Sequence, residues 1–339
     1  MAEMDPSNFA TKPADMIMQM ASGLWVSRAI WAACRIGVPE AIGEAAVTIR
    51  SIAQQTGAQP EMLRRLLNAL SAAGIFRRTE EGLFGHNELS AVLRKDHPAS
   101  QRAIVEIVFG DEHYEAWGLL DRTLMTGKTA FDLRYGTQVF SYFGEHPDRA
   151  EAFSEAMTST TRMLEEAILA AHSFKPFDLA IDIGGSQGSL LRAILARHDR
   201  ARGVIFDLPE IAEAVRPSLE GTRITAEAGS FFEDVTAGGD LYLLKFILHD
   251  WSDEQCAMIL SNVRRSIRPD GRIAIFEMVL PDSSVSHPGW FMDLNMMAMT
   301  GGRERTLGEY DALLEAAGFR RDLVTHTASP MTVIEAVPA

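Results

Sequence analysis

Residues 14–75 carry apolar positions at helical spacing, and beyond residue 177 the pattern changes to short, continuous apolar runs. In the first stretch Met16, Met20, Trp25, Ala29, Ile30 and Ala33 form one stripe, which Gly37-Val38-Pro39 closes. A short helix through Ile52 and Ala53 follows and stops at Gly57. Pro60 opens the next helix, with Met62, Leu63, Leu66, Leu67 and Leu70 on one face and Gly74 just past its end. Ile75-Phe76-Arg77-Arg78, a Glu80-Glu81-Gly82 turn and Leu83-Phe84-Gly85-His86 then read as a hairpin. Helix, turn, helix and hairpin together predict a winged helix.

More helices are expected over residues 100–172, above all Pro147 to Ala171, with the aromatic residues Trp117, Phe131, Tyr135, Phe140, Tyr142 and Phe143 between them. Seven apolar runs follow: Leu179–Ile183, Gly203–Phe206, Arg223–Ala226, Leu241–Leu244, Ile273–Phe276, Leu323–Thr325 and Met331–Val337. Continuous apolar strands alternating with helices predict an α/β doubly wound, Rossmann-like parallel sheet covered on both faces. The last two strands are joined by a short link containing Pro330 and should be antiparallel. Ser252-x-x-Gln255 and Thr306-x-x-Glu309 are capping boxes.

The length of 339 residues fits two domains at roughly 150 each. The expected division is a winged-helix domain over 1–105, a helical connector over 106–172 and a sheet domain over 173–339. With 47% hydrophobic residues a large core is available, and a net charge of −14 argues against nucleic acid as a partner. Cys34 and Cys256 are too few for a disulfide framework or zinc cluster. Met1-Ala-Glu-Met-Asp-Pro lacks the pattern of a signal peptide, and no run of apolar residues is long enough to span a membrane, so a cytoplasmic location is expected.

Asp182-Ile-Gly184-Gly185-Ser186-Gln187-Gly188 ends the first of these strands and opens a helix. A dinucleotide fingerprint would need glycine at Ser186 and Ser189, so an NAD site is not supported. An acidic residue before G-x-x-x-G suits a ligand without phosphates, whose hydroxyls or positive charge want a carboxylate. S-adenosylmethionine is such a ligand. Asp207 ends the second strand, 23 residues past Gly184, where a carboxylate would accept ribose hydroxyls; the structural alternative is a helix cap. Asp182 either holds the loop or touches the ligand. Phe231 either joins the core or meets an adenine face.

Lys245 ends the fourth strand of this series, and His249 follows one helical turn later. Glu277 ends the fifth strand, and Glu304 lies in the loop Gly301-Gly302-Arg303-Glu304-Arg305-Thr306. A hydroxyl attacks an electrophilic methyl better when a base takes its proton, and an imidazole oriented by a carboxylate is such a base. Methyl transfer from a sulfonium needs no metal, because the leaving thioether is neutral. Alone, Glu277 would be an ordinary strand terminus and Glu304 a salt-bridge partner of Arg303 or Arg305. His86, His97, His113, His146, His172, His198, His287 and His326 lack comparable neighbours in sequence. Met157, Met163, Met292, Met296, Met297 and Met299 are either core or an adaptable lining for an aromatic ligand.

With these residues assembled, the chain resembles the plant caffeate- and isoflavone-type O-methyltransferases and their bacterial natural-product relatives, a class I S-adenosylmethionine-dependent family. The resemblance runs from about Ala14 to Thr332 through ordered landmarks: the Asp182 loop, Phe206-Asp207-Leu208-Pro, Gly229-Ser230-Phe231-Phe232, Lys245 through Trp251, Glu277-Met-Val-Leu-Pro and Gly301 through Thr306. It implies a winged-helix dimerisation domain, a homodimer, and a class I methyltransferase domain. Carried over, His249 would be the general base flanked by Glu277 and Glu304. Asp182, Gly184, Gly185 and Gly188 would lie along the methionine part of the cofactor. Asp207, with Leu208 beside it, would take the ribose, while Ser230, Phe231, Lys245 and Trp251 would line the adenine side. Phe153 and Met157 match acceptor-contacting positions, and Met296 and Met299 join that set. The implied reaction moves the cofactor's methyl to a hydroxyl, expected to be phenolic, of a small aromatic natural product and leaves S-adenosylhomocysteine.

Two departures stand out. Ser186 replaces a usual third glycine, and Ser230 replaces an aspartate, so the adenine side loses a charged acceptor. The rival readings are a winged-helix DNA-binding regulator, which Arg64 and Arg65 alone support poorly, and a relative that keeps the cofactor for hydroxylation or decarboxylation.

Overall fold

The computed structural model describes residues 12–283 and 285–339, so the reading of Met1–Pro6 lies outside the described residues. The chain divides after Asp111 into two compact units.

In the first unit a helix over Pro13–Arg35 ends at Gly37, whose φ of 78° is the left-handed turn that glycine permits. Gly37-Val38-Pro39 does more than close that helix. Val38 begins a second, over Val38–Ile42, with Pro39 in the first turn where its missing N–H goes unused. Helices Ile49–Thr56 and Pro60–Ala72 follow, the former capped by Thr48, which accepts the Ser51 N–H at 3.2 Å. Strands β1 (Arg77–Arg78) and β2 (Phe84–Gly85) pair antiparallel, and Val47 bridges to Phe84. Ile30, Ala33, Cys34, Leu63, Leu67, Leu70, Phe76 and Phe84 form the core of this unit.

The apolar stripe is only half core. Met16, Met20 and Trp25 remain 45%, 68% and 65% exposed, and Met62 is exposed as well. Ile17, Met18 and Leu24 widen that uncovered apolar surface, which a partner would be needed to bury.

The second unit holds a seven-stranded sheet in the order β5-β4-β3-β6-β7-β9-β8. Its strands are β3 (Leu179–Ile183), β4 (Arg202–Asp207), β5 (Ile224–Ala228), β6 (Leu241–Lys245), β7 (Arg272–Glu277), β8 (Phe319–His326) and β9 (Thr332–Pro338). β3 to β7 pair in parallel, whereas β9 inserts antiparallel between β7 and β8. Alternate residues serve opposite faces: Ile181, Ile183, Tyr242, Leu244, Ile273 and Ile275 pack on one side, Ala180, Leu241, Leu243, Ala274 and Phe276 on the other. That is why these strands read as unbroken apolar runs. β5 begins at Ile224 rather than Arg223. β8 starts four residues earlier than its apolar run because Arg320, Arg321 and Asp322 are exposed on this edge strand.

Register brings the carboxyl ends of the central strands level: Ile183 sits opposite both Phe206 and Leu244, and Lys245 opposite Phe276. The chain leaves β3 toward β4 and later returns to β6 on its other side. The crevice above β3 and β6 is therefore the switch point at which open α/β sheets bind ligands. Among the described residues no helix is long and apolar enough to cross a membrane.

Candidate active site

Asp182, Asp207, Lys245 and Glu277 all reach the crevice edge from strand ends. After β3, Gly184, Gly185, Ser186 and Gly188 turn the chain into the Ser189–Leu195 helix. Gly188 has φ 69°, and a Cβ there would lie 2.4 Å from Ile205 Cδ1; a Cβ on Gly185 would lie 2.7 Å from the Asp182 carboxyl carbon. Ser186 adopts φ 50°, a left-handed conformation unusual for a residue with a side chain. Its N–H donates to Asp207 Oδ2 at 2.8 Å and its Oγ lies 2.6 Å from Ser154 Oγ, so neighbours on two elements hold it there.

Asp207 Oδ1 accepts the Leu208 N–H at 2.8 Å. Each of its oxygens thus retains a lone pair for a ligand's hydroxyls. Burial raises the Asp207 pKa against the pull of those two N–H bonds. Burial also pushes Asp182 up to about 7, opposed by Lys245, whose own pKa burial lowers. The Ser230 Oγ accepts the Phe232 N–H at 3.3 Å, and the Trp251 ring meets Phe231 and Phe232 edge-on at 6.0 and 4.8 Å. Hydroxyl acceptors, a buried ammonium and an aromatic wall around a glycine turn fit a nucleoside joined to an amino acid. Leu208 is exposed at the rim.

His249 occupies a short 3₁₀ turn, Leu248–Asp250, and is 6% exposed; Glu277 and Glu304 are both at 0%. Glu277 anchors that turn: its Oε1 accepts the N–H groups of Ile247, Leu248 and His249 at 3.2, 3.0 and 3.4 Å. Its Oε2 lies 3.6 Å from His249 Nδ1. Glu304 makes the direct contact, with Nδ1 2.7 Å from Oε1. Nδ1 must donate there, so in the neutral ring Nε2 carries the lone pair. Among the described residues Nε2 has no hydrogen bond, and Asp250 Oδ1 lies 3.8 Å from it. Arg303 pairs with Glu309 and Arg305 with Asp253, so neither arginine takes Glu304.

Burial alone would lower the imidazole pKa, but Glu277, Asp250 and Glu304 outweigh it and raise His249 to about 10. Burial in turn pushes Glu277 up to about 7 and Asp250 to about 6, against the pull of His249 on each. The ligand atoms of His249, Glu277 and Glu304 lie within 4.8 Å of one another, where a divalent ion could be held. The 2.7 Å between Nδ1 and Glu304 Oε1 is shorter than the roughly 3.3 Å between two ligands of one tetrahedral zinc, and marks a hydrogen bond instead.

The expected acceptor residues divide. Phe153 stacks on Phe143 at 4.9 Å and meets Phe140 at 6.3 Å, while Phe140 lies 5.4 Å from Trp251, forming an aromatic wall that ends near the His249 turn. Met157 is half-buried on the same helix as Phe153. Met296 and Met299 are buried, and Met299 packs in a satellite core with Ala116, Phe131 and Val139; Met163 is exposed.

Four further residues around His249 received no role from the sequence. The Phe246 ring stacks on the imidazole, centroids 5.1 Å apart, from a strained φ of 54°. Gly302 brings its loop so close that a Cβ would sit 2.0 Å from His249 O. Asp293 Oδ1 accepts the Glu304 N–H at 2.9 Å, and Arg305 is buried beneath the turn. His172, expected to be without such neighbours, is buried with Nε2 3.1 Å from Glu335 Oε1 across 163 residues of sequence.

Comparison with known proteins finds the O-methyltransferase dimerisation domain over residues 18–96 and the O-methyltransferase domain over residues 117–320. The phenazine O-methyltransferase PhzM of Lysobacter antibioticus is 37% identical over 96% of this chain and 96% of its own. The crystal structure of LaPhzM superposes with a TM-score of 0.93 at 37% identity, covering 96% of this chain and 99% of that one. NcsB1, an O-methyltransferase from neocarzinostatin biosynthesis solved with S-adenosylmethionine and 2-hydroxy-5-methyl naphthoic acid, matches at TM-score 0.80 and 29% identity, over 92% and 96% of the chains.

Proposed function

The chain belongs to the O-methyltransferase family, and from that premise we propose that it methylates a phenolic hydroxyl of a small aromatic natural product, with S-adenosylmethionine as donor and His249 as general base. The observation that carries this reading is the buried 2.7 Å contact from His249 Nδ1 to Glu304, which among the described residues leaves Nε2 without a hydrogen bond. S-adenosylmethionine, when bound, supplies an electrophilic methyl on a sulfonium. Asp207 would hold the ribose hydroxyls, Asp182 and the glycine turn the methionine end, and Phe231, Ser230, Lys245 and Trp251 the adenine side. Phe153 and Met157 would meet the flat face of the acceptor, with Met296 behind them. The naphthoic acid in NcsB1 supports an aromatic acceptor.

His249 does three things. Its Nδ1–H, fixed by Glu304, sets the tautomer. Nε2 accepts the hydroxyl proton. The imidazolium that forms is stabilised by Glu277, Asp250 and Glu304. The three carboxylates that favour the imidazolium make His249 a stronger base than a free imidazole, which suits the removal of a phenol's proton. Only the neutral ring accepts a proton, so turnover rises with pH through the range in which His249 deprotonates. His249 gives up its proton at lower pH when a cation sits beside it.

The exposed apolar surface of the Pro13–Arg35 helix and the dimerisation-domain match support a homodimer formed through the N-terminal unit. Cys34 and Cys256 are buried free thiols, which suits a reducing compartment, and we place the enzyme in the cytoplasm. Incubation with methyl-labelled S-adenosylmethionine and a panel of hydroxyaromatics tests the reading. Label recovered as an aryl methyl ether supports it; an unlabelled hydroxylated or decarboxylated product would replace it with the non-methylating alternative.

A further inference from the structure

The three acid–base side chains come from three separate segments: the turn after β6, the end of β7, and the 301–306 loop. One buried residue of the 301–306 loop hydrogen-bonds to the turn after β6 and to the chain just past the end of β7. Arg305 is 0% exposed, and its guanidinium bonds the main chain of the His249 turn. Nη1 donates to Leu248 O at 2.8 Å and Nη2 to Trp251 O at 2.8 Å, so the carbonyls on both sides of His249 are bound. Nε and Nη2 donate to Asp253 Oδ1 at 3.0 and 2.7 Å, fixing the plane of the fork. The backbone of Arg305 completes the link: its carbonyl accepts the Leu280 N–H at 2.8 Å, three residues past Glu277, and Glu304 is its neighbour in the chain. Two residues earlier, the Arg303 N–H donates to His249 O at 2.8 Å.

We propose that Arg305 is a positioning residue: its guanidinium holds the 248–251 turn against the 303–306 loop and thereby keeps His249 Nδ1 on Glu304. The functional weight of that geometry rests on the reading of His249 as the base. A planar fork can serve two carbonyls and a carboxylate at once, whereas a lysine ammonium is a single point of charge on a flexible stem and cannot span them. Removing the fork takes the strongest donor from each carbonyl and leaves weaker ones, the Cys256 thiol at 3.1 Å and the Trp251 N–H at 3.4 Å on Leu248 O and the same thiol at 3.6 Å on Trp251 O, so the turn is held less firmly.

The charges around the imidazole report any such movement. Glu277, Asp250 and Glu304 raise its pKa; Lys245 acts on Asp250 and Glu277, and Tyr310 interacts with both glutamates. If the turn drifts from the loop, the Glu304 contact lengthens and His249 binds its proton less tightly, although no charge has been removed from the cluster itself.

The test is a pH titration of His249 by NMR in full-length protein labelled at histidine Cε1 and saturated with S-adenosylhomocysteine, with His249→Gln identifying the signal. Arg305→Lys should keep S-adenosylhomocysteine affinity within about threefold yet lower the His249 midpoint by at least about one unit, tenfold in proton affinity. Asp253→Ala, at a side chain 57% exposed, should shift it the same way by less and carries the test should Arg305→Lys fail to fold. Midpoints within about 0.3 unit of the parent in the folded variants would overturn the proposal. Methyl transfer retained by His249→Gln would instead overturn the base assignment and leave the positioning of the ring by Arg305 standing.

Discussion

His249 Nδ1 and Glu304 Oε1 lie 2.7 Å apart although 55 residues separate them in sequence, and neither side chain has more than a few per cent of its surface in water. Glu304→Gln keeps an oxygen acceptor for Nδ1–H but removes the charge that stabilises the imidazolium. Turnover should fall by about ten- to a hundredfold, less than the roughly 10²–10⁴ that a general base supplies. The acid limb of the pH–rate profile should also move to lower pH. Steady-state rates measured across pH 6–10 with the labelled cofactor check both.

The raised pKa of His249 ties fold stability to pH. Its folded value of about 10 lies above the ordinary 6.5, so the folded state holds this proton more tightly than the unfolded chain. The contribution is complete below about pH 6.5 and is lost as pH climbs toward 10. The melting temperature of the parent relative to His249→Gln should therefore be highest near pH 6 and shrink steadily up to pH 10. A gap that stays constant, measured by differential scanning calorimetry at matched ionic strength, contradicts the charge arrangement around the ring.

Gly302 tests the close approach of the loop. A methyl there would lie 2.0 Å from His249 O and 2.4 Å from the Asp250 carbonyl carbon, both main-chain atoms with no flexible side chain to yield. Gly302→Ala should separate the loop from the turn, costing about 1–3 kcal/mol of stability and lowering turnover at least tenfold. Chemical denaturation and single-turnover rates measure the two effects on one preparation.

Much of the candidate site could be read from the sequence because its residues sit where local patterns end. Asp207, Lys245 and Glu277 terminate apolar runs that are continuous because both faces of the sheet are covered. The capping boxes at Ser252 and Thr306 start the helices that follow the turn and the loop. What the pattern hid depends on contacts distant in sequence. Arg305 reads as one more charged residue in an arginine-rich loop; only the folded chain seats it under the Leu248 and Trp251 carbonyls. The left-handed φ of Phe246 has no sequence marker, since glycine is the usual sign of that conformation. Met16, Met20 and Trp25 show the limit of periodicity itself, which is identical for a stripe facing the chain's own core and one awaiting a partner.

The most direct measurement is methyl transfer by His249→Gln beside the parent enzyme, with labelled S-adenosylmethionine, the hydroxyaromatic that the parent methylates, and S-adenosylhomocysteine affinity determined for both proteins. Loss of turnover by about 10²–10⁴ with unchanged cofactor affinity is the predicted result, the remainder coming from alignment of the two bound reactants. Turnover within a few-fold of the parent would contradict a proton-accepting role for this imidazole.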